Sequence, residues 1–245
     1  MARKSVEAPA RLAPADLRPL RDLVGDGAID YAIVCTAFHF INRIADLLDV
    51  PPESIPEGLR RFEPLRKASV WLGSLVMGRM DLDNRRYAAT FEQAAAELDP
   101  VFRAAAGAPL GDRLDALAGR PHVLEVFRHA LEERDVRSSL DRSTIATVHA
   151  VCADALPADR DEAFGFHARP DDPVEAFAFV GTRYPARTTE AMIDALRERG
   201  FDDLGVLDLA IAVADANQWL RLSSLLDLDR DLFLLPAPDA ATAVA

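Results

Sequence analysis

The chain has 245 residues, half of them hydrophobic but only 7% aromatic, so Ala, Leu and Val carry the burial and helices are favoured over strands. Its formal net charge of −12 argues against binding nucleic acid or an anionic membrane through bulk charge. A basic cluster at Arg60, Arg61, Arg66 and Lys67 reads as a solvated patch.

In chain order, the N-terminal MARKSVEAPARLAPADL carries basic residues but no apolar core of signal-peptide length, and its first dozen residues read as frayed. A short helix at ADLRPLRDLVGDG leads into a strong helical run over 28–48, stopped by Pro51, Pro52 and Pro56. Helical patterns resume at 65–79 and 86–97, before a Gly/Pro-rich break at 104–112. Further helices are predicted over 121–133, 141–155, 173–182, 188–199 and 204–226, followed by a disordered Pro- and Ala-rich tail. No segment alternates like a strand, and none approaches the ~18 apolar residues of a membrane helix. The fold class predicted is all-α, a helical bundle.

The chain also repeats itself. DYAIVCTAFHFINRIADLLDV at 30–50 aligns without gaps to DLAIAVADANQWLRLSSLLDL at 208–228, with seven of 21 pairs identical, Arg43/Arg221 and Asp49/Asp227 among them. Upstream, ADLRPLRDLVGDG matches EAMIDALRERGFDDLG once two residues are dropped. Each copy reads as a short helix, a Gly/Asp turn and a long helix.

The 30–50 helix is apolar on nearly every side, which predicts burial all round. Cys35, His39, Arg43 and Asp46 run along it at helical spacing, with Asn42 beside them. The second copy holds Asn217, Arg221 and Ser224 at the places of His39, Arg43 and Asp46. A buried Arg must meet a carboxylate, backbone carbonyls, a helix C-terminus or a wet pocket, because desolvation otherwise costs several kcal/mol. Two readings stand: a structural seam that docks repeats or subunits, or a shared cavity whose binding residues Asn42, Arg43, Asp46, Asn217 and Arg221 hold an anionic or polar small molecule.

The phrase AFHFINRIADLLDV, after a Gly/Asp turn, resembles a late helix of the alkylhydroperoxidase-like (carboxymuconolactone decarboxylase) superfamily. Ala37, Phe38, Asn42, Arg43, Ala45, Asp46, Leu48 and Val50 carry the pattern, with His39 where Asn is common. GRPHVLEVFRHALEERDVRSSLDRSTIATVHAVCA is similar to the helix pair that precedes that family's active site. The resemblance implies a bundle of two related units: residues 1–60 closing a partial repeat, 61–115 a helical connector, 116–232 a second, diverged repeat, and 233–245 the tail. It also implies a homo-oligomer.

The family's peroxidase chemistry needs CxxCxxxH and an upstream Glu, and the resemblance puts these near Thr144, Leu156 and Asp159, where no cysteine pair exists. Cys35 and Cys152 form no CxxC. The expected function is therefore a diverged, non-redox small-molecule-binding or assembly protein. The alternative is a single-cysteine peroxidase-like or lyase-type enzyme using Cys35 and His39, one helical turn apart. His149 and Cys152 form a second thiol–imidazole pair, and with Cys35 and His39 they could make a Cys2His2 metal set. His122 and His129 read as surface or capping residues. His167 lies in a loop beside Asp171 and Asp172, where acid/base work is conceivable. No cofactor motif is present, and no cofactor, metal, nucleic-acid or membrane partner is expected. Reduced thiols and the lack of a leader or span predict a cytoplasmic protein.

Overall fold

A computed structural model describes residues 11–49, 90–106, 109–156, 170–229 and 232–234. Among these residues the chain forms eight α-helices, joined by 3₁₀ turns and loops, and no strand. They are α1 (Arg18–Val24), α2 (Gly27–Leu47), α3 (Phe91–Ala106), α4 (Pro121–Arg137), α5 (Arg142–Ala155), α6 (Pro173–Arg183), α7 (Glu190–Glu198) and α8 (Asp203–Leu226). The chain divides into two compact units, residues 1–49 with 88–245, and residues 50–87. The second unit, with the helix expected at 65–79 and the basic cluster at 60–67, lies outside the described residues, as does His167.

Local chemistry sets the helix starts. Asp141, Asp172 and Asp202 each accept a hydrogen bond from a backbone N–H of the first turn of α5, α6 and α8, from Thr144, Val174 and Gly205 at 2.8–2.9 Å. Proline opens α4 and α6, where its missing N–H costs nothing. One boundary differs clearly from expectation. The helix predicted over 86–97 runs on through Pro100 to Ala106, into the segment read as a break. Packing overrides the proline there, because Ala94, Leu98 and Phe102, spaced i, i+4, i+8, are all buried in the core.

The core is organised around α8, which is buried along most of its length. The helices α2, α5 and α6 pack along it, and α3 pairs with α4. Trp219 of α8 stacks on Phe233 at 4.2 Å between ring centroids, and Phe127 of α4 meets both rings edge-on at 5.0 and 4.9 Å. Residues 232–234 are thus tied into the core rather than being part of a tail that starts at 233.

The expectation for α2 is corrected. It is not buried all round: Ala28, Ile29, Ala32, Thr36, Arg43 and Leu47 face inward, while Tyr31, Val34, Phe38 and Ile41 stand 54–62% exposed. The reason is position. α8 has neighbours on several sides, whereas α2 rests on α8, on α1 and on the Pro185–Arg187 turn. Similar apolar sequences therefore end in different surroundings.

The two aligned segments have the same order of elements. A 3₁₀ turn (Pro14–Asp16), α1, Gly25 at positive φ and α2 stand beside a 3₁₀ turn (Pro185–Arg187), α7, Gly200 at positive φ and α8. Asp49 after α2 and Asp227 after α8 are paired in the alignment, and both adopt the left-handed conformation, with φ of 49° and 61°. Among the described residues no other non-glycine has a positive φ. The packing is reciprocal as well: α2 lies on the Pro185–Arg187 turn and α8 on the Pro14–Asp16 turn.

Candidate functional site

Four helices bring polar side chains into the otherwise apolar interior. α6 ends beside α2, and its last carbonyls have no partner within the helix. The Arg43 guanidinium fills that place, its Nη1 donating to the carbonyls of Gly181 and Thr182, the latter at 3.0 Å. A cation at a helix C-terminus also meets the negative end of the helix dipole. Of the four outlets open to a buried arginine, the structure uses the helix terminus. Gly181 permits the approach: a Cβ there would sit 2.9 Å from both Leu47 of α2 and Val213 of α8.

Thr182 continues the seam. Its hydroxyl donates to Cys152 Sγ of α5 at 3.1 Å and accepts from Asn217 Nδ2 of α8 at 2.9 Å. Asn217 Nδ2 also donates to the Val213 carbonyl at 2.8 Å, and its Oδ1 accepts from Arg221 Nη1 at 2.8 Å. The same Arg221 nitrogen donates to the Asn217 carbonyl at 2.9 Å. Cys152, Thr182, Asn217, Arg221 and Arg43 thus form a buried polar seam across α5, α6, α8 and α2.

Electrostatics in this seam follow from burial and from the closeness of the two guanidiniums. Burial lowers the Arg43 pKa to about 10, while Cys152 and Asp46 pull it back upward. Arg221 falls well below its ordinary value, first by burial and then by the charge of Arg43. His39 is pushed down to about 4 by burial, then by Arg221 and Arg43. Burial raises the Cys152 thiol to about 11 against the opposing effects of Thr182, Arg43 and Arg221. Two buried arginines therefore stand within electrostatic reach of each other. Among the described residues, Arg43 donates to carbonyls and to no carboxylate, and its buried Nε has no hydrogen-bond partner.

The expected residues are only partly brought together. Arg43, Asn217 and Arg221 are buried in the seam, and His39 and Cys35 lie half-buried at its margin. Asn42 and Asp46 are exposed on the solvent side of α2, although Asp46 still acts on Arg43 through its charge. Each i, i+4 step turns by about 40°, which carries Cys35, His39 and Arg43 progressively inward, whereas the i+3 step to Asp46 turns back by about 60° and Asn42 lies about 100° from Arg43. At neutral pH His39 is uncharged, so it is no cationic neighbour for the Cys35 thiol. Cys152 is fully buried and protonated, and both cysteines are free thiols. His149 is buried on α5. Among the described residues no group of three or more His, Cys, Asp or Glu side chains gathers as a metal site, so the four-residue Cys2His2 set does not form.

His122 Nε2 lies 3.2 Å from Asp30, which also pairs with Arg120, and His129 is exposed beside Glu132. Thr144 serves the N-cap of α5 and Leu156 is buried after it. The sequence reading missed Gly181 and Thr182. The available signal was a lone glycine in an apolar helical run, a mark of close helix approach. No helix among the described residues is long and apolar enough to cross a membrane. No family model, curated protein or solved structure matches the chain.

Proposed function

We propose that the chain is a non-redox, small-anion-binding protein, diverged from the alkylhydroperoxidase-like class, whose Arg43 and Arg221 share one ligand between α2 and α8. The observation that carries this reading is the buried guanidinium pair, in which burial makes both groups harder to keep protonated and the charge of Arg43 lowers Arg221 further. An oxyanion beside both would offset that repulsion, and the spare Nε donor of Arg43 suits a planar carboxylate or a phosphate. Kinship with the family rests on the AFHFINRIADLLDV pattern, and the duplication on the aligned arginines and left-handed aspartates. Free thiols fit a reducing compartment such as the cytoplasm. The alternative, catalysis by Cys35 with His39, lacks a base poised near neutral pH.

Thermal unfolding with phosphate, sulfate or acetate, against chloride at matched ionic strength, tests the proposal. At a free-anion concentration a hundred times the dissociation constant, binding adds ~2.7 kcal/mol of stability. The wild type is expected to show a saturable rise in Tm with an oxyanion, and Arg43→Gln and Arg221→Gln to lose it. A wild type that responds to chloride as strongly as to every oxyanion contradicts the reading. That result would favour the second one, a purely structural seam, which the bonds from Arg43 to the end of α6 support.

A further inference from the structure

Each long helix carries a polar side chain one turn before its arginine. On α8 it is Asn217, whose Oδ1 accepts from Arg221 Nη1 at 2.8 Å and whose Nδ2 donates to the Thr182 hydroxyl at 2.9 Å, tying that guanidinium into the seam. On α2 the aligned position is His39, one turn before Arg43. The two helices pack on each other, and His39 stands half-buried between the seam and solvent, where the charges of Arg221 from α8 and Arg43 from its own helix both act on it. Asp208 and Asp215 of α8 lie on the far side of that helix from Asn217. Cys35 and Asp46 share the line of His39 on α2, and Cys152 of α5 faces the same two arginines. The Pro185–Arg187 turn against α2 adds Arg187, whose guanidinium lies 5.2 Å from the Tyr184 ring, and α1 adds the exposed Arg18, Arg21 and Asp22.

We propose that His39 is a third member of the oxyanion site and takes up a proton when an anion settles between Arg43 and Arg221. This rests on the shared-anion reading given under the proposed function, and adds to it a residue and a pH dependence. Without an anion, a proton on His39 is a third positive charge beside two guanidiniums, in a half-buried place that itself disfavours charge. A dianion between the guanidiniums brings their sum close to zero. The repulsion that opposed the proton is then gone, and the imidazolium gives the anion one more charge-assisted N–H donor. The two events are linked: what the anion does to favour the proton, the proton does to favour the anion. Position sets which group answers in this way. Cys152 is fully buried, whereas His39 has a side open to solvent from which to take its proton. Asn217, at the aligned position on α8, offers hydrogen bonds but no titration.

The test is isothermal titration calorimetry of sulfate, a dianion throughout the range, into the full chain at an ionic strength held constant with chloride, beside His39→Asn. If the bound anion returns His39 to its ordinary pKa of 6.5, wild-type affinity is expected to be about tenfold higher at about pH 5.5 than at about pH 7.5. Titrations in buffers of different ionisation enthalpy are expected to show proton uptake at the lower pH. His39→Asn is expected to bind sulfate equally at both pH values, without proton uptake. If that variant fails to fold, His39→Gln carries the same comparison. Wild-type binding that is equal at the two pH values, or a pH dependence that the variant retains, overturns the inference and leaves the shared-anion reading standing. A wild type that binds no sulfate at either pH ends both.

Discussion

At the scale of single residues, the half-buried His39 gives the clearest consequence. Its folded-state pKa, about 4, lies below the ordinary value of 6.5, so the unfolded chain takes up a proton where the folded one does not. Stability from this group is therefore present above pH 6.5 and is lost as pH falls from 6.5 towards 4. His39→Asn, which installs the residue found at the equivalent position 217, is expected to flatten that part of the curve, read by urea denaturation across the window. An unchanged acid slope would mean that neither burial nor the two arginines hold His39 uncharged in the folded chain. The thiols follow the same logic: Cys152, fully buried and accepting from Thr182, is inert for reasons of position, whatever its spacing from His149.

At the scale of elements, the meeting of α2, α6 and α8 at Gly181 sets how the arginines are presented. Gly181→Ala puts a methyl group 2.9 Å from Leu47 and Val213, and overpacking of this kind costs about 1–3 kcal/mol. Chemical denaturation is expected to show that loss, with a weaker oxyanion response as Arg43 is displaced from the end of α6. An unaffected stability would mean that the three helices are not in tight contact there. Most of these elements were legible beforehand, because their signals are local: Asp caps, opening prolines, Gly turns and an apolar period. The burial of α2 was not, since an apolar helix records what could be covered and leaves unsaid which neighbours cover it. Nor were the partners of Arg43, which are backbone carbonyls far along the chain with no side-chain signature. Spacing selected Arg43 and Arg221 correctly as interior residues, while Asp46, three residues on and turned back by about 60°, and Asn42, about 100° round the helix from Arg43, fall outside the site.

At the scale of the whole molecule, a buried centre rich in positive charge lies within a chain of net −12. A net charge of this sign and size disfavours polyanions such as nucleic acid, so the ligand proposed for the interior is one small enough to shed its water and leave the surface behind. The most direct measurement is arginine side-chain NMR, following the ¹⁵Nε–¹H signals as phosphate is added at constant ionic strength, with the signals assigned from Arg43→Gln and Arg221→Gln. The account predicts that the Arg43 and Arg221 signals shift together and saturate, while exposed arginines such as Arg197 and Arg199 move only in proportion to added salt. Buried signals that stay still while the exposed ones move would contradict it.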